Sequence, residues 1–506
     1  MMALTLIGKV LGLYRDRLLA VHYSTGAAAN AFFTASRIPR VFFDAIFASA
    51  VSACFIPVFS EYLEKKGKGE ALRFAGSFLT LIALLTGGLS VLGMIFPQPL
   101  VALFADYADP ATTGLAAALT RVMLPTVFFS GVAFSLVGVL QAQDHFTAPA
   151  LMSAASNLVI IFYFFTLDSR LGIFGLAGAY LLGWLLQGVI LLPPLKGLDS
   201  SLRPGLDFRS EGMKKVLALM GPVMVSTWVQ PVNQAVNARF GSQLYEGAGV
   251  AALEYASNLY LVITGVFVLS VTNVIFPRLS RLTAGGQEGA FLDTIRQTLR
   301  FTLFFVLPMS AGLTAVAGPL ISLIYGGGEF DAFDVEITAS ALSWMALGMA
   351  GYAAQNILSR AYFARQKGRG PLVAGGASIL ANILLSMALT RRFSVAGLAL
   401  ASALSATVYA LLLLIPLQRG EGRLLDGRAL WNLGRMALAA LVMGLCVRTL
   451  PGLLPGALPA GKTGELLCLG LCAMTGVALY FALALILRVD EARLCAELVK
   501  KTLKRG

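Results

Sequence analysis

Four charged residues stand inside the first apolar stretch of the chain, in GKVLGLYRDR (residues 8–17): Lys9, Arg15, Asp16 and Arg17. The next stretch, NAFFTASRIPRVFFDAIF, holds Asn30, Arg37, Arg40 and Asp44. On helices, Lys9 and Asp16 share a face two turns apart, and Arg37, Arg40 and Asp44 share another through spacings of three and four. A charge at the centre of a bilayer costs roughly 2.5–3.5 kcal/mol on insertion scales, so such residues belong in a protein interior or a watery cavity. Lys9 and Arg15 against one Asp16 leave net positive charge, which suits an anionic ligand. A diphosphate fits that charge: arginine forks bind phosphate oxygens bidentately, and lysine acts as a point charge. Arg17 reads as a snorkelling interface residue. Arg40 with Asp44 reads either as part of the cavity or as a structural ion pair. Pro39, between the two arginines, predicts a kink or break there. Further along, Gln230, Asn233, Gln234 and Asn237 precede Glu254, Ser257 and Asn258, polar groups in otherwise apolar surroundings.

Other chemistries find little support. No GxxxxGK[ST] phosphate loop, HExxH or GxSxG motif occurs, so neither ATP hydrolysis nor another enzyme activity is indicated. The two histidines, His22 and His145, are too few for a histidine metal site. The five cysteines (Cys54, Cys446, Cys468, Cys472, Cys495) lie mostly in apolar runs and read as packing residues, Cys468 and Cys472 included. Asp331 and Asp334, in GEFDAFD, are paired carboxylates without a basic or metal partner and read as a solvated turn. No metal or cofactor is expected.

The elements that must position these residues are membrane helices. Of 506 residues, 57% are hydrophobic and 13% charged, and mean hydropathy is +0.78; soluble proteins run at about 45–50% and about 25%. Apolar windows near the roughly 20 residues that a bilayer demands recur along the whole chain. The fold class is all-α, a polytopic membrane protein of about fourteen transmembrane helices. The charges in the first stretch lie in its middle and at its end, unlike a cleavable signal peptide. The formal charge of +13 gathers in alternate connections, such as EKKGKGEALR and RAYFARQKGRG, and in the final VKKTLKRG. This is a topology signal rather than a nucleic-acid footprint, and it predicts both termini on the cytoplasmic side.

The chain also repeats itself. ACFIPVFSEYL (53–63) recurs as NVIFPRLSRLT (273–283), and QPLVALFADYADPATT (98–113) recurs as GPLISLIYGGGEFDAFD (318–334), aligning Pro57 with Pro277 and Pro99 with Pro319. Internal duplication is a mark of secondary transporters. A shift of six helices keeps the halves parallel. The expected organisation is two pseudo-symmetric six-helix lobes, 1–200 and 201–420, and a C-terminal helix pair with a basic tail, 421–506.

GKVLGLYRD, NAFFTASRIPR, FIPVFSEY, IFPRLS, YGGGEFDAFD and NILSRAYFARQ together resemble the MurJ (MviN) family of lipid II flippases, part of the multidrug and oligosaccharidyl-lipid exporter superfamily. The likeness runs in register from about residue 8 to beyond 400. It implies movement of an undecaprenyl-diphosphate-linked peptidoglycan precursor across the bacterial plasma membrane. Alternating access of two lobes around a cationic cavity would drive this, with no cofactor, and cell-wall synthesis proteins are possible partners. It implies that the last two helices form an apolar groove for the lipid tail. Carried over residue by residue, Lys9 stands where the family has an arginine, Arg15 and Asp16 match its arginine and acidic neighbour, and Arg37 matches a position that is often basic. Asn30 replaces an aspartate, Phe43 an arginine, Ala48 a glutamate and Asn258 an arginine. The substrate-binding set implied is Lys9, Arg15, Asp16, Asn30, Arg37, Arg40 and Asn258, with the first lobe holding most of the charge. The losses leave open a different polyprenyl-diphosphate glycan as cargo, or a scaffold for cell-wall enzymes that transports nothing.

Overall fold

The computed structural model describes residues 2–42, 51–195, 202–420, 424, 426–453, 459 and 461–503. Phe43, Asp44 and Ala48 lie outside the described residues. Helices make up almost all of the rest, and no extended strand occurs among the described residues. Nine described helices are long and apolar enough to cross a membrane. The chain is an all-α polytopic membrane protein.

The chain divides into two compact units, Met1–Ala251 with Gly328–Phe330, and Ala252–Gly327 with Asp331–Gly506. The first contains α1 (Met2–Tyr23), α2 (Ala27–Phe42), a π turn (Val51–Phe55), α3 (Ile56–Lys65), α4 (Gly67–Ile95), α5 (Pro97–Phe104), α6 (Pro110–Met123), α7 (Pro125–Gln141), α8 (Thr147–Thr166), α9 (Asp168–Ile190), α10 (Glu211–Thr227) and α11 (Val229–Gly241). Residues Ala29 to Pro39 of α2 are all buried, so this helix is the core element of the unit. The helix continues past Pro39 to Phe42 instead of ending at the proline. Where the π turn, α3 and α4 meet, Phe55 stacks on Phe59, Phe74 and Phe78, with ring centroids 5.3, 5.6 and 4.5 Å away.

The second unit contains most of α12 (Ala248–Ala284), then α13 (Glu288–Tyr325), α14 (Ala332–Leu347), α15 (Met349–Ala364), α16 (Arg369–Gly420), α17 (Gly427–Leu453), α18 (Lys462–Ile486) and α19 (Asp490–Leu503). Its aromatic centre is Phe304 with Tyr480, whose hydroxyl donates to the Phe304 carbonyl at 2.8 Å. Small residues let α15 and α16 approach closely, as membrane helices do for want of a hydrophobic drive between them. A Cβ on Gly348 would stand 2.6 Å from the Ala403 backbone, and one on Gly351 would stand 2.5 Å from Thr407 Oγ1.

Backbone landmarks recur along the chain. Residues with left-handed φ occur at Ser24 and Glu246, Asp144 and Gln366, and Gly172 and Ser394. Each pair is 222 residues apart. Gly172 and Ser394 each break a helix, α9 and α16. Asp109 caps α6 by accepting from the Ala111 and Thr112 amides, both at 3.0 Å. Asp331, again 222 residues on, caps α14 in a reciprocal capping box with Asp334. Asp331 and Asp334 therefore start a helix, and Asp334, which is buried, is not part of the solvated turn expected from the sequence. The proline blocks sit at 220, so the loops between landmarks have lost and regained two residues.

Candidate functional site

The helix-1 charges are positioned by α8. Gly8 and Gly12 bring α1 close to it: a Cβ on Gly8 would meet Ser153 Oγ at 3.2 Å, and one on Gly12 would meet Asn157 Nδ2 at 3.3 Å. Asn157 is buried and donates from Nδ2 to the Gly8 carbonyl at 3.0 Å. Its Oδ1 accepts from Arg15 Nη1 at 3.0 Å. Arg15 turns its Nε and Nη2 onto Asp16 Oδ1 at 3.0 and 2.7 Å. The guanidinium is thus fixed by a carboxylate and an amide, while its side chain stays 26% exposed. Asp16 pairs with Arg15; Lys9, which shares its helix face, is exposed and makes no ion pair among the described residues. Arg40 and Tyr180 lie close enough to act electrostatically on Arg15. Arg15 and Asp16 offset one another, and Arg40 adds a cation close enough to act on the pair. Arg17 is half-exposed and also makes no ion pair among the described residues.

The other expected residues do different work. Asn30 is almost fully buried. It donates to the Thr25 and Gly26 carbonyls at 2.6 and 2.8 Å and accepts from the Ala251 amide at 2.9 Å, so its amide ties loop and helix starts together. Arg37 is 5% exposed and donates to the Gln234 carbonyl at 3.3 Å, bracing α2 against α11. Asn258, half-buried on α12, belongs to the second unit.

Among known proteins, the profile described as "Lipid II flippase MurJ" matches residues 20–460. The chain belongs to the MurJ family. A probable lipid II flippase MurJ of Rhizobium meliloti (strain 1021) is 27% identical over 521 residues, spanning 99% of this chain and 95% of its own. The lipid II flippase MurJ of Burkholderia cenocepacia is 27% identical over 423 residues, spanning 82% of each. Among solved structures, a lipid II flippase MurJ in an inward closed conformation has a TM-score of 0.79 at 24% identity, covering 96% of this chain and 98% of its own. An inward-facing multidrug resistance MATE family transporter has a TM-score of 0.67 at 14% identity, covering 87% and 96%. These two likenesses concern the fold.

In this MurJ-family chain the duplication isolates what is particular to the first unit. At the 222-residue shift, Lys9, Arg15, Asp16, Arg37 and Arg40 correspond to Pro231, Asn237, Ala238, Leu259 and Val262. None of these five positions is charged in the second copy, whereas Arg17 keeps its charge as Arg239. Sequence reasoning passed over two residues. Asn157 was hidden in an apolar span, although a lone asparagine at membrane depth needs a partner. Arg360, inside the quoted NILSRAYFARQ, holds its guanidinium 5.5 Å from the ring of Phe276 and forms no ion pair among the described residues. The second unit also contains an apolar groove of about 350 Å³ between α12, α13, α17 and α18, lined by Pro308, Gly312, Met443, Cys472, Gly476 and Tyr480 among others.

Proposed function

We propose that the protein translocates lipid II across the bacterial plasma membrane by alternating access, with both termini in the cytoplasm. The observation that carries this, within a MurJ-family chain, is Arg15 fixed between Asp16 and Asn157 with Arg40 nearby. Fixing the guanidinium beforehand lowers the ordering cost of gripping a diphosphate, and Lys9 adds an unpaired cation on the same helix. Arg37 and Asn30 act by holding α2 in place, and Asn258 is a polar rather than an electrostatic contributor. The groove supports a site for the isoprenoid tail. Its volume is more than twice the roughly 150 Å³ of a cavity that holds a benzene, and its lining is almost wholly apolar. The charge alternation of the loops supports the orientation.

Cells depleted of their own lipid II flippase provide the test. Expression of this protein should restore peptidoglycan synthesis and viability. Normal expression without rescue would sink the reading. A second reading, transport of a different polyprenyl-diphosphate glycan, is favoured by the loss of charge at Asn258. It predicts that such a lipid competes for the protein while lipid II does not.

A further inference from the structure

The transport reading makes no use of α19. Three residues separate this helix from α18, so the end of a membrane-crossing helix sets its depth at the membrane–water boundary. Its first turn is locked. Glu491, 3% exposed, accepts from Arg300 Nε and from Asn432 Nδ2, each at 2.6 Å, and Asp490 accepts from Arg300 Nη2 at 2.7 Å. Val489 and Ala492 are fully buried in the same core as Met436 and Tyr480. These contacts occupy both acidic residues at the start of the helix.

Beyond this anchor the surface changes. Arg488 and Arg493 are exposed, and Leu494 is 50% exposed. In the sequence, Ala492, Cys495, Ala496 and Val499 recur at spacings of three and four, and Arg493, Glu497, Lys500 and Lys501 fall between them. That is an amphipathic pattern whose apolar stripe starts in the protein core at Ala492 and Cys495, while Arg493 and Leu494 lie exposed beside it. On the adjoining α17, Arg435 donates to the Arg488 carbonyl at 3.4 Å, and its guanidinium lies 5.3 Å from the ring of the largely exposed Trp431. Tryptophan and arginine at this depth are interface anchors.

We propose that α19 and the Trp431–Arg435 corner form an in-plane docking surface for anionic phospholipid. Charge complementarity selects the occupant. Arg300 offsets one of the two charges of Asp490 and Glu491, which leaves Arg435, Arg488 and Arg493 opposed by Glu497 and one carboxylate, and the sequence adds Lys500 and Lys501 further along. The exposed apolar groups Leu494 and Trp431 sit among these cations at headgroup depth, where phosphates and the first acyl carbons meet. A basic residue near an anionic surface strengthens binding roughly five-fold. The surface shares no residue with the Arg15 cluster and stands whether or not lipid II is the cargo.

The test is backbone hydrogen exchange of the full chain in single-copy nanodiscs, made of phosphatidylcholine alone or with about 30% phosphatidylglycerol. Exchange over residues 494–503 should slow about ten-fold in the anionic discs, and salt near 0.5 M should erase the difference by screening. K500E/K501E should lose the lipid dependence, while exchange over 487–492 and α18 stays as in the parent. Equal exchange in both discs would overturn the proposal. So would protection that appears only in discs holding two copies, which would assign the surface to a second copy of this chain.

Discussion

Arg15 and Asn157, 142 residues apart in the chain, share a hydrogen bond of 3.0 Å, and the same Asn157 holds the Gly8 carbonyl. One amide therefore fixes both the backbone of α1 and the guanidinium it presents.

Removing that guanidinium should be decisive. Arg15→Ala is expected to abolish rescue of flippase-depleted cells at near-normal protein levels, and Arg15→Lys should recover only part of it, because a point charge replaces a fork. Lys9→Ala should be milder, since Lys9 has no fixed geometry. Full activity in both alanine variants would remove the cationic centre from the mechanism.

Asn157→Ala separates positioning from charge. One interhelical hydrogen bond in a membrane averages about 0.6 kcal/mol, so thermal stability should drop only slightly. Transport should fall more sharply than stability, because Arg15 loses one of its two tethers. A loss of activity that merely tracks the melting temperature would make Asn157 a packing residue.

Two glycines should respond in opposite directions to the same change. Gly351→Ala places a methyl 2.5 Å from Thr407 Oγ1 and 2.9 Å from the Thr407 amide nitrogen. It should cost about 1–3 kcal/mol through overpacking. Gly88, within α4, has nothing within 4 Å of the added atom, so Gly88→Ala should be neutral or stabilising by up to about 1 kcal/mol. Thermal unfolding in detergent reads both.

Acid should loosen the contact between α3 and α10. Hydrogen bonds from Lys215 and Lys65 hold the Glu61 carboxyl below its usual 4.5, and Lys66 does the same for Glu211. With folded values depressed, this contribution is complete above the usual value and disappears as pH falls through the lowered one. The difference in melting temperature between the parent and Glu61→Gln should therefore be largest near neutrality and close as pH falls below the usual carboxylate range. Salt should shrink it, because these groups are solvent-accessible. A difference that ignores both pH and salt would mean that the glutamine acts through packing.

The helical frame was legible because membrane insertion writes itself into composition: long apolar windows and basic loops leave few alternatives. The duplication was legible as two proline blocks. Its true register came from the backbone at Ser24, Asp144 and Gly172, where only one of the three residues is a glycine that would announce a left-handed turn. The charges of α1 could be found because Lys9 and Arg15 are costly in a membrane. Their partners were less so: Lys9 and Asp16 share a face of α1, yet the Asp16 carboxylate binds its neighbour Arg15, and Asn157 supplies the second tether. Asn30 carried the right polarity for a ligand contact, but its hydrogen bonds go to Thr25, Gly26 and Ala251. Polarity at membrane depth marks a residue as engaged; spacing alone does not say with what.

The left-handed turns and aspartate caps that recur 222 residues apart carry an evolutionary consequence. An ancestor of half this length would have passed its turns to both descendants, and both have kept them. Of the helix-1 cations, Arg17 has a counterpart in Arg239, while Lys9 and Arg15 have none. Folding instructions written in caps and chain reversals have been inherited twice, while the Lys9 and Arg15 cations stand in one descendant alone. The other was free to become something else, here the half with the greasy groove.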